Sequence, residues 1–183
     1  MSVDSIAPTS AKLLLASLKR YAGRTAITFC GQNWTYEEID LLSDRLAGFL
    51  AKKGVGPSVS VGVHLRNGWE YVICEFAILK LAAVRVPLNE LMGADELEYC
   101  LRHSRTQILI NHKELPGATS ASRGMTVIVV GLTESDALAP GQVAWEEALA
   151  RSTPFTINEA LANDTAIIAY TGGTTGRPKG VRH

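Results

Sequence analysis

Between residues 59 and 130 short runs rich in valine and isoleucine alternate with segments of helical periodicity, and this alternation limits the fold more than anything else in the chain. Val59 to Leu65 reads as a strand, and Asn67 reads as the cap of a helix running to about Ala83. Val84 to Leu88 is a second strand, Glu96 to His103 is helical, and Gln107 to Ile110 and Met125 to Val130 are two further strands. Strand, helix, strand, helix, strand predicts an α/β fold: a mostly parallel sheet with helices on both faces and right-handed crossovers. Asn111 to Gly124 and Gly131 to Gly141 read as turn-rich loops, and Trp145 to Ala150 as a short helix.

Ahead of this alternation the pattern differs. Thr9 to Tyr21 reads as a helix with Leu13, Leu14, Ala16 and Leu18 on its apolar side. Thr25 to Phe29 and Trp34 to Tyr36 form a hairpin about a turn placed at Gly31-Gln-Asn33. Thr35 with Glu38 is a capping-box signature, and Ile39, Leu42, Leu46, Phe49 and Leu50 recur at helical spacing until Gly54.

With 183 residues, 46% of them hydrophobic, the chain can bury a core of ordinary size. Its 18 basic and 18 acidic residues balance without blocks, which excludes the electrostatic footprint of a nucleic-acid binder. Cys30, Cys74 and Cys100 are too few and too scattered for a disulfide framework, so all three are expected to pack, in a reducing cytoplasm. Cys100, His103 and His112 lack the further ligands of a metal site, and no metal-binding residue is assigned. No basic leader precedes an apolar core at the N-terminus. The most apolar helix, Val72 to Val84, carries Glu75 and Lys80 and is too short for a transmembrane segment. Asn33-Trp-Thr35 matches the glycosylation pattern, which has no meaning in a cytoplasmic chain.

Chemistry concentrates at the end of the sequence. After the apolar run Thr165 to Tyr170, read as a buried strand, comes Thr171-Gly-Gly-Thr-Thr-Gly-Arg-Pro-Lys179. Gly172, Gly173 and Gly176 allow close backbone approach and left-handed geometry, so that successive N–H groups can converge on an anion. Thr171, Thr174 and Thr175 add hydroxyl donors, Lys179 adds a mobile cation, and Pro178 stiffens the exit. The spacing is not that of the common P-loop, because Arg177 and Pro178 separate Gly176 from Lys179 and Gly180 stands where Ser or Thr would bind magnesium. Nor is it the dinucleotide fingerprint, since Gly172 and Gly173 are adjacent. Glycine and threonine are also ordinary turn residues, and a plain surface hairpin is the competing description. Arg66 and Arg85 flank strands and read as solvated or paired, Tyr170 as a packing residue with a polar tip, and His183 receives no catalytic role.

The loop closely resembles the phosphate-binding signature of the adenylate-forming superfamily, which includes acyl-CoA synthetases, aryl-CoA ligases, luciferases and peptide-synthetase adenylation domains. That signature reads Tyr-Thr-Ser-Gly-Thr-Thr-Gly-x-Pro-Lys-Gly, and Gly172 departs from it at the usual serine. Gly31 to Ile39 is similar to the family's early hairpin and helix. Leu79-Lys-Leu-Ala-Ala-Val-Arg-Val-Pro-Leu-Asn89 is similar to its second motif, with Leu81 and Ala82 in place of the usual Ala-Gly.

The resemblance implies that the chain is the N-terminal part of a large domain. Residues 1–55 would form a helix, hairpin and helix packing on a second layer, and residues 56–183 an α/β subdomain ending in the phosphate loop. It implies a carboxylic acid substrate activated by ATP with Mg2+ to an acyl-adenylate, followed by transfer to the thiol of CoA. Thr171, Gly172, Gly173, Thr174, Thr175, Gly176 and Lys179 would bind the nucleotide, Lys179 acting catalytically. The family's adenine, magnesium, ribose and hinge motifs follow this loop, so 183 residues alone are expected to be inactive and to associate through exposed apolar surface. Two other readings remain: an adenylation domain that loads a carrier protein, and a non-catalytic nucleotide-binding module.

Overall fold

The computed structural model describes residues 9–116, 124–171 and 177–183. Five strands, β3 (Ser60–His64), β4 (Val84–Pro87), β5 (Ile108–His112), β6 (Thr126–Val130) and β7 (Gln142–Ala144), form one sheet in the order β4-β3-β5-β6-β7. Every neighbouring pair is parallel, as the alternation predicts. β3 is buried at all its positions, and only an end residue of β5 and of β6 is less than buried, as strands covered on both faces require. The edge strand β7 follows the second loop and has no signal of its own, since three half-buried residues are too few to show a period.

Side chains divide between the two faces by strand alternation. Val61, Val63, Ile108, Ile110, Ile128 and Val130 face one core, shared with α1 (Ser10–Arg20), α2 (Tyr36–Lys52), α3 (Trp69–Lys80) and α5 (Trp145–Leu149). Val86, Leu109, Val127 and Val129 face the other, covered by α4 (Ala94–His103) through Leu97, Cys100 and Leu101. Helices thus lie on both faces.

Side-chain caps set two of the five described helix starts, Thr9 at α1 and Thr35 at α2. Thr35 Oγ1 accepts from the Glu38 amide at 3.2 Å while the Thr35 amide donates to Glu38 Oε2 at 2.7 Å, completing the capping box. That backbone bond, reinforced by the Thr35 hydroxyl, holds the Glu38 carboxyl below its ordinary range. Two expectations are corrected. Gly68 rather than Asn67 caps α3, without a side-chain bond, because the helix starts one residue later than its polar signal suggests. The hairpin of β1 (Thr25–Phe29) and β2 (Gln32–Thr35) turns at Cys30-Gly31, with φ +49° and +77°, between the paired Phe29 and Gln32. Two consecutive positive φ values match the twist of the flanking strands, so the turn moves one residue back from Gly31-Gln-Asn33 and leaves Cys30 exposed rather than packed. Cys74 and Cys100 are buried.

The second motif holds two helices together. Lys80, at the end of α3, is 2% exposed and donates to Asp40 O at 3.0 Å, Asp40 Oδ1 at 2.5 Å, Ser43 Oγ at 2.8 Å and Asp44 Oδ1 at 2.6 Å, all on α2. A buried ammonium is tolerated only when paired and hydrogen-bonded, and here every donor finds α2. Leu81 then caps the helix and is buried, and Ala82 takes φ +49° in the left-handed region.

The segment Thr165 to Tyr170 is not a buried strand of the sheet. Its regular part is β8 (Ile168–Thr171), half-buried to exposed, which pairs antiparallel with β9 (Lys179–Arg182). Arg85 joins it to β4 through one parallel bridge to Ile167 and a bond from its amide to Ala166 O at 2.9 Å. The apolar run therefore edges the core instead of crossing it.

Candidate active site

The hairpin β8–β9 carries the residues on which the sequence places phosphate binding. Ile168 pairs with Arg182, Ala169 with Val181, Tyr170 with Gly180 and Thr171 with Lys179. Backbone bonds from Ala166 N to His183 O at 2.8 Å and from His183 N to Ile167 O at 3.0 Å close its base, giving His183 a structural place. Thr171 and Lys179 are the last pair, so both stand where the strands open toward residues 172–176. Gly172, Gly173, Thr174, Thr175 and Gly176 lie outside the described residues. Lys179 is exposed, and no described residue offers its ammonium an ion pair. A cation in that condition loses nothing in protein contacts when it meets an anion.

The stems of the hairpin are docked on α4. Tyr170 Oη donates to Cys100 O at 3.1 Å and lies 2.8 Å from His103 Nδ1. With its one proton used on the carbonyl, the tyrosine oxygen accepts, so His103 carries hydrogen on Nδ1. Burial, helped by the neighbouring Cys100 thiol, pushes the Tyr170 hydroxyl up to about 12. Burial likewise pushes Cys100 up to about 11, with Glu96 adding to it, so this thiol is inert at neutral pH. Tyr170 is thus the packing residue with a polar tip that the sequence suggested.

Gly180 has its reason opposite this tyrosine. A Cβ there would lie 3.1 Å from Ile168 Cγ2 and 3.3 Å from the Tyr170 ring, so the bare backbone leaves room for the aromatic ring. The signal was present in the motif, but its meaning depends on a register no sequence prints.

The two arginines weighed as ligands are committed elsewhere. Arg66 contacts Glu90 at 3.3 Å and Glu114 at 3.1 Å. Arg85 Nε lies 2.7 Å from Glu75 Oε2 as an ion pair without an aligned N–H, and its Nη1 donates to Tyr71 at 3.2 Å. Burial raises Glu75 despite that arginine. In open α/β sheets ligands favour the carboxyl ends of strands where the order reverses, here between β3 and β5. That point is closed by buried side chains: His64 Nδ1 lies 2.7 Å from Asn111 Oδ1, and its Nε2 lies 3.1 Å from Asn89 O. The groove between α4 and the loop's exit, about 680 Å3, sets the carboxylates of Asp95, Glu96 and Glu98 against the guanidinium groups of Arg102 and Arg177, with Arg102 already paired to Glu98 at 3.3 Å. Among the described residues no group of three His, Cys, Asp or Glu could hold a metal, and no helix is long and apolar enough to cross a membrane.

Comparison with known proteins adds the relatives. The profile described as "AMP-binding enzyme" matches residues 14–183. A 3-oxocholest-4-en-26-oate--CoA ligase from Rhodococcus rhodochrous is 35% identical over 164 residues, covering 86% of this chain and 30% of the ligase. The phosphinothricin tripeptide synthetase of Streptomyces viridochromogenes is 32% identical over 166 residues, covering 90% of this chain and 14% of the synthetase. Among solved structures, an anthranilate CoA ligase in complex with anthranoyl-AMP superposes with a TM-score of 0.80 at 25% identity, covering 94% of this chain and 34% of that one. The chain thus spans about a third or less of the length of these relatives.

Proposed function

This chain belongs to the AMP-binding enzyme family, and we propose that residues 1–183 supply the phosphate-binding part of a ligase that activates a carboxylic acid with ATP and passes the acyl group to CoA. A carboxylate oxygen attacks the α-phosphorus, the bond from that phosphorus to the bridging oxygen breaks, and pyrophosphate leaves. The CoA thiolate then attacks the acyl carbonyl and AMP departs. In this reading residues 56–183 are the α/β subdomain ending in the loop, and residues 1–55 the helix, hairpin and helix that pack on a second layer.

The observation that carries the proposal is the exposed Lys179, without an ion pair among the described residues, facing Thr171 at the mouth of the hairpin. ATP brings about four negative charges, and its transition state is reached only where fixed donors and cations offset them. Lys179 would meet the departing pyrophosphate, Thr171, Thr174 and Thr175 would donate hydroxyls, and the amides of Gly172, Gly173 and Gly176 would converge on the phosphates. A unit charge pair at 4 Å is worth about 1 kcal/mol in water and about 4 kcal/mol at an effective dielectric near 20, so Lys179 needs a closed site to matter. Magnesium bound to the nucleotide would screen the phosphates; no ligand for it is assigned within the described residues.

The test is carboxylate-dependent ATP–pyrophosphate exchange and CoA thioester formation by the natural protein that contains this sequence. Exchange and thioester are expected, and no exchange with any carboxylate would overturn the reading. Likeness to a tripeptide synthetase favours a second reading, transfer to a carrier protein, which exchange without CoA thioester would support. The 183 residues alone are expected to show no exchange. Leu13, Leu14, Ile157 and Leu161 are 59%, 42%, 56% and 68% exposed, and Leu14 and Leu161 line one cavity of about 480 Å3. Apolar surface left exposed at these positions is expected to drive self-association, visible by light scattering as a mass above the monomer.

A further inference from the structure

The geometry points to Tyr99 and His103, one turn apart on α4, as positioning residues that hold both feet of the phosphate-binding loop. Tyr170 immediately precedes Thr171, and Arg177 immediately follows Gly176 in the sequence. The first foot is held by His103, whose Nδ1 lies 2.8 Å from the Tyr170 hydroxyl and whose ring meets the Tyr170 ring edge-on at 5.8 Å. The second foot is held by Tyr99, which has the Arg177 guanidinium 5.4 Å from its ring centroid. The two clamps are themselves one unit, because Tyr99 and His103 stack at 5.5 Å with an interplanar angle of 23°.

Helical spacing makes this possible. Residues four apart share a helix face, and α4 is fixed from below by buried Leu97, Cys100 and Leu101. The same turn of helix also receives the Tyr170 proton on Cys100 O at 3.1 Å. β8 lies beside β4, joined to it by the Arg85 bridge and the bond from the Arg85 amide to Ala166 O, and α4 adds a second anchorage through the side chains of Tyr170 and Arg177. Pro178 is buried beside this contact, and Arg177 is exposed with no ion pair among the described residues, which leaves its cation to the ring. A loop that must present amides to phosphate within a fraction of an ångström gains from feet that cannot splay. Neither Tyr99 nor His103 touches the reacting atoms; they act through Tyr170 and Arg177.

Two readouts test this. Hydrogen exchange in the protein should rise about tenfold or more over residues 168–171 and 179–182 in Tyr99→Leu and in His103→Ala, while β5 stays unchanged. Tyr99→Phe, which keeps the ring face, and His103→Asn, which keeps a donor near Nδ1, should stay within about twofold of wild type. Unchanged exchange in the first pair would overturn the clamp. ATP enters only under the ligase reading above, so the wild-type pyrophosphate-exchange assay tests that reading separately. Where wild type is active, Tyr99→Leu and His103→Ala should raise the KM for ATP about three- to tenfold and leave the KM for the carboxylate within about twofold, with rescue in the conservative variants. An equal change in both constants, or none, would reduce the pair to a structural contact and overturn the positioning role. Wild-type silence with altered hydrogen exchange would uphold the clamp and remove its bearing on ATP.

Discussion

Two lysines divide the molecule. Lys80 joins the end of α3 to α2 through four acceptor atoms on three residues at 2% exposure, whereas Lys179 stands at the mouth of an edge hairpin with no ion pair among the described residues. The same ammonium is a structural bolt in one place and an uncommitted charge in the other. Desolvation explains the difference: inside, the charge must be matched by fixed oxygens from the protein, and outside, water serves until a ligand replaces it. The surroundings follow the same split. The central strands are buried on both faces, and β8–β9 is half-buried or exposed, joined to β4 by one bridge and one backbone bond at Arg85.

That contrast can be broken by experiment. Lys80→Ala removes the counter-charge from Asp40 and Asp44 and should cost about 3–5 kcal/mol of stability in urea unfolding, toward the lower end because both carboxylates are partly exposed. A loss below about 1 kcal/mol would show that the bolt is dispensable. Lys179→Ala should do the reverse: adenylation in the natural protein slows about ten- to a thousandfold, roughly 1.4–4 kcal/mol, while stability stays within about 0.5 kcal/mol. An unchanged rate would remove Lys179 from the chemistry.

Glycines sharpen the comparison at smaller scale. A Cβ at Gly48 on α2 would run into the Thr153 carbonyl, so Gly48→Ala should cost about 2–3 kcal/mol, seen as a lower urea midpoint. Gly180→Ala meets Ile168 and the Tyr170 ring first, side chains that can yield, and should cost about 1 kcal/mol. Equal losses would erase the distinction between core and edge. At Ala82, with φ +49°, glycine relieves left-handed strain, and Ala82→Gly should raise stability by about 1 kcal/mol or less.

The smallest effect concerns pH. The Tyr170 hydroxyl is raised to about 12 from an ordinary value near 10, so folding favours its neutral form. The stability this gives is fully present below pH 10 and fades as pH rises toward 12. Wild type and Tyr170→Phe, compared by urea midpoint, should converge over that window; a constant difference would assign the Tyr170 contribution to packing alone.

Much of the fold is legible in the sequence. The spacing of valine-rich runs between residues 59 and 130 revealed the parallel sheet, because strands buried on both faces admit few polar residues. Thr35 and Glu38 announced the start of α2 because a capping box is local chemistry, complete within four residues. Asn67 misled for the complementary reason: a polar residue before a helix is a weaker signal than the backbone geometry that let Gly68 take the cap. The hairpin turn slipped by one residue because Cys30 accepts a left-handed conformation that sequence assigns to glycine.

Sequence alone determined the fold class and the chemical character of the loop, since both rest on periodicity and on residue types a few positions apart. Tertiary structure decided which lysine would be buried, which residue opposite Gly180 needed the space, and that Tyr99 and His103 would meet Arg177 and Tyr170 some seventy residues away. Those outcomes depend on register and desolvation across the folded chain, and neither is a property of any local stretch.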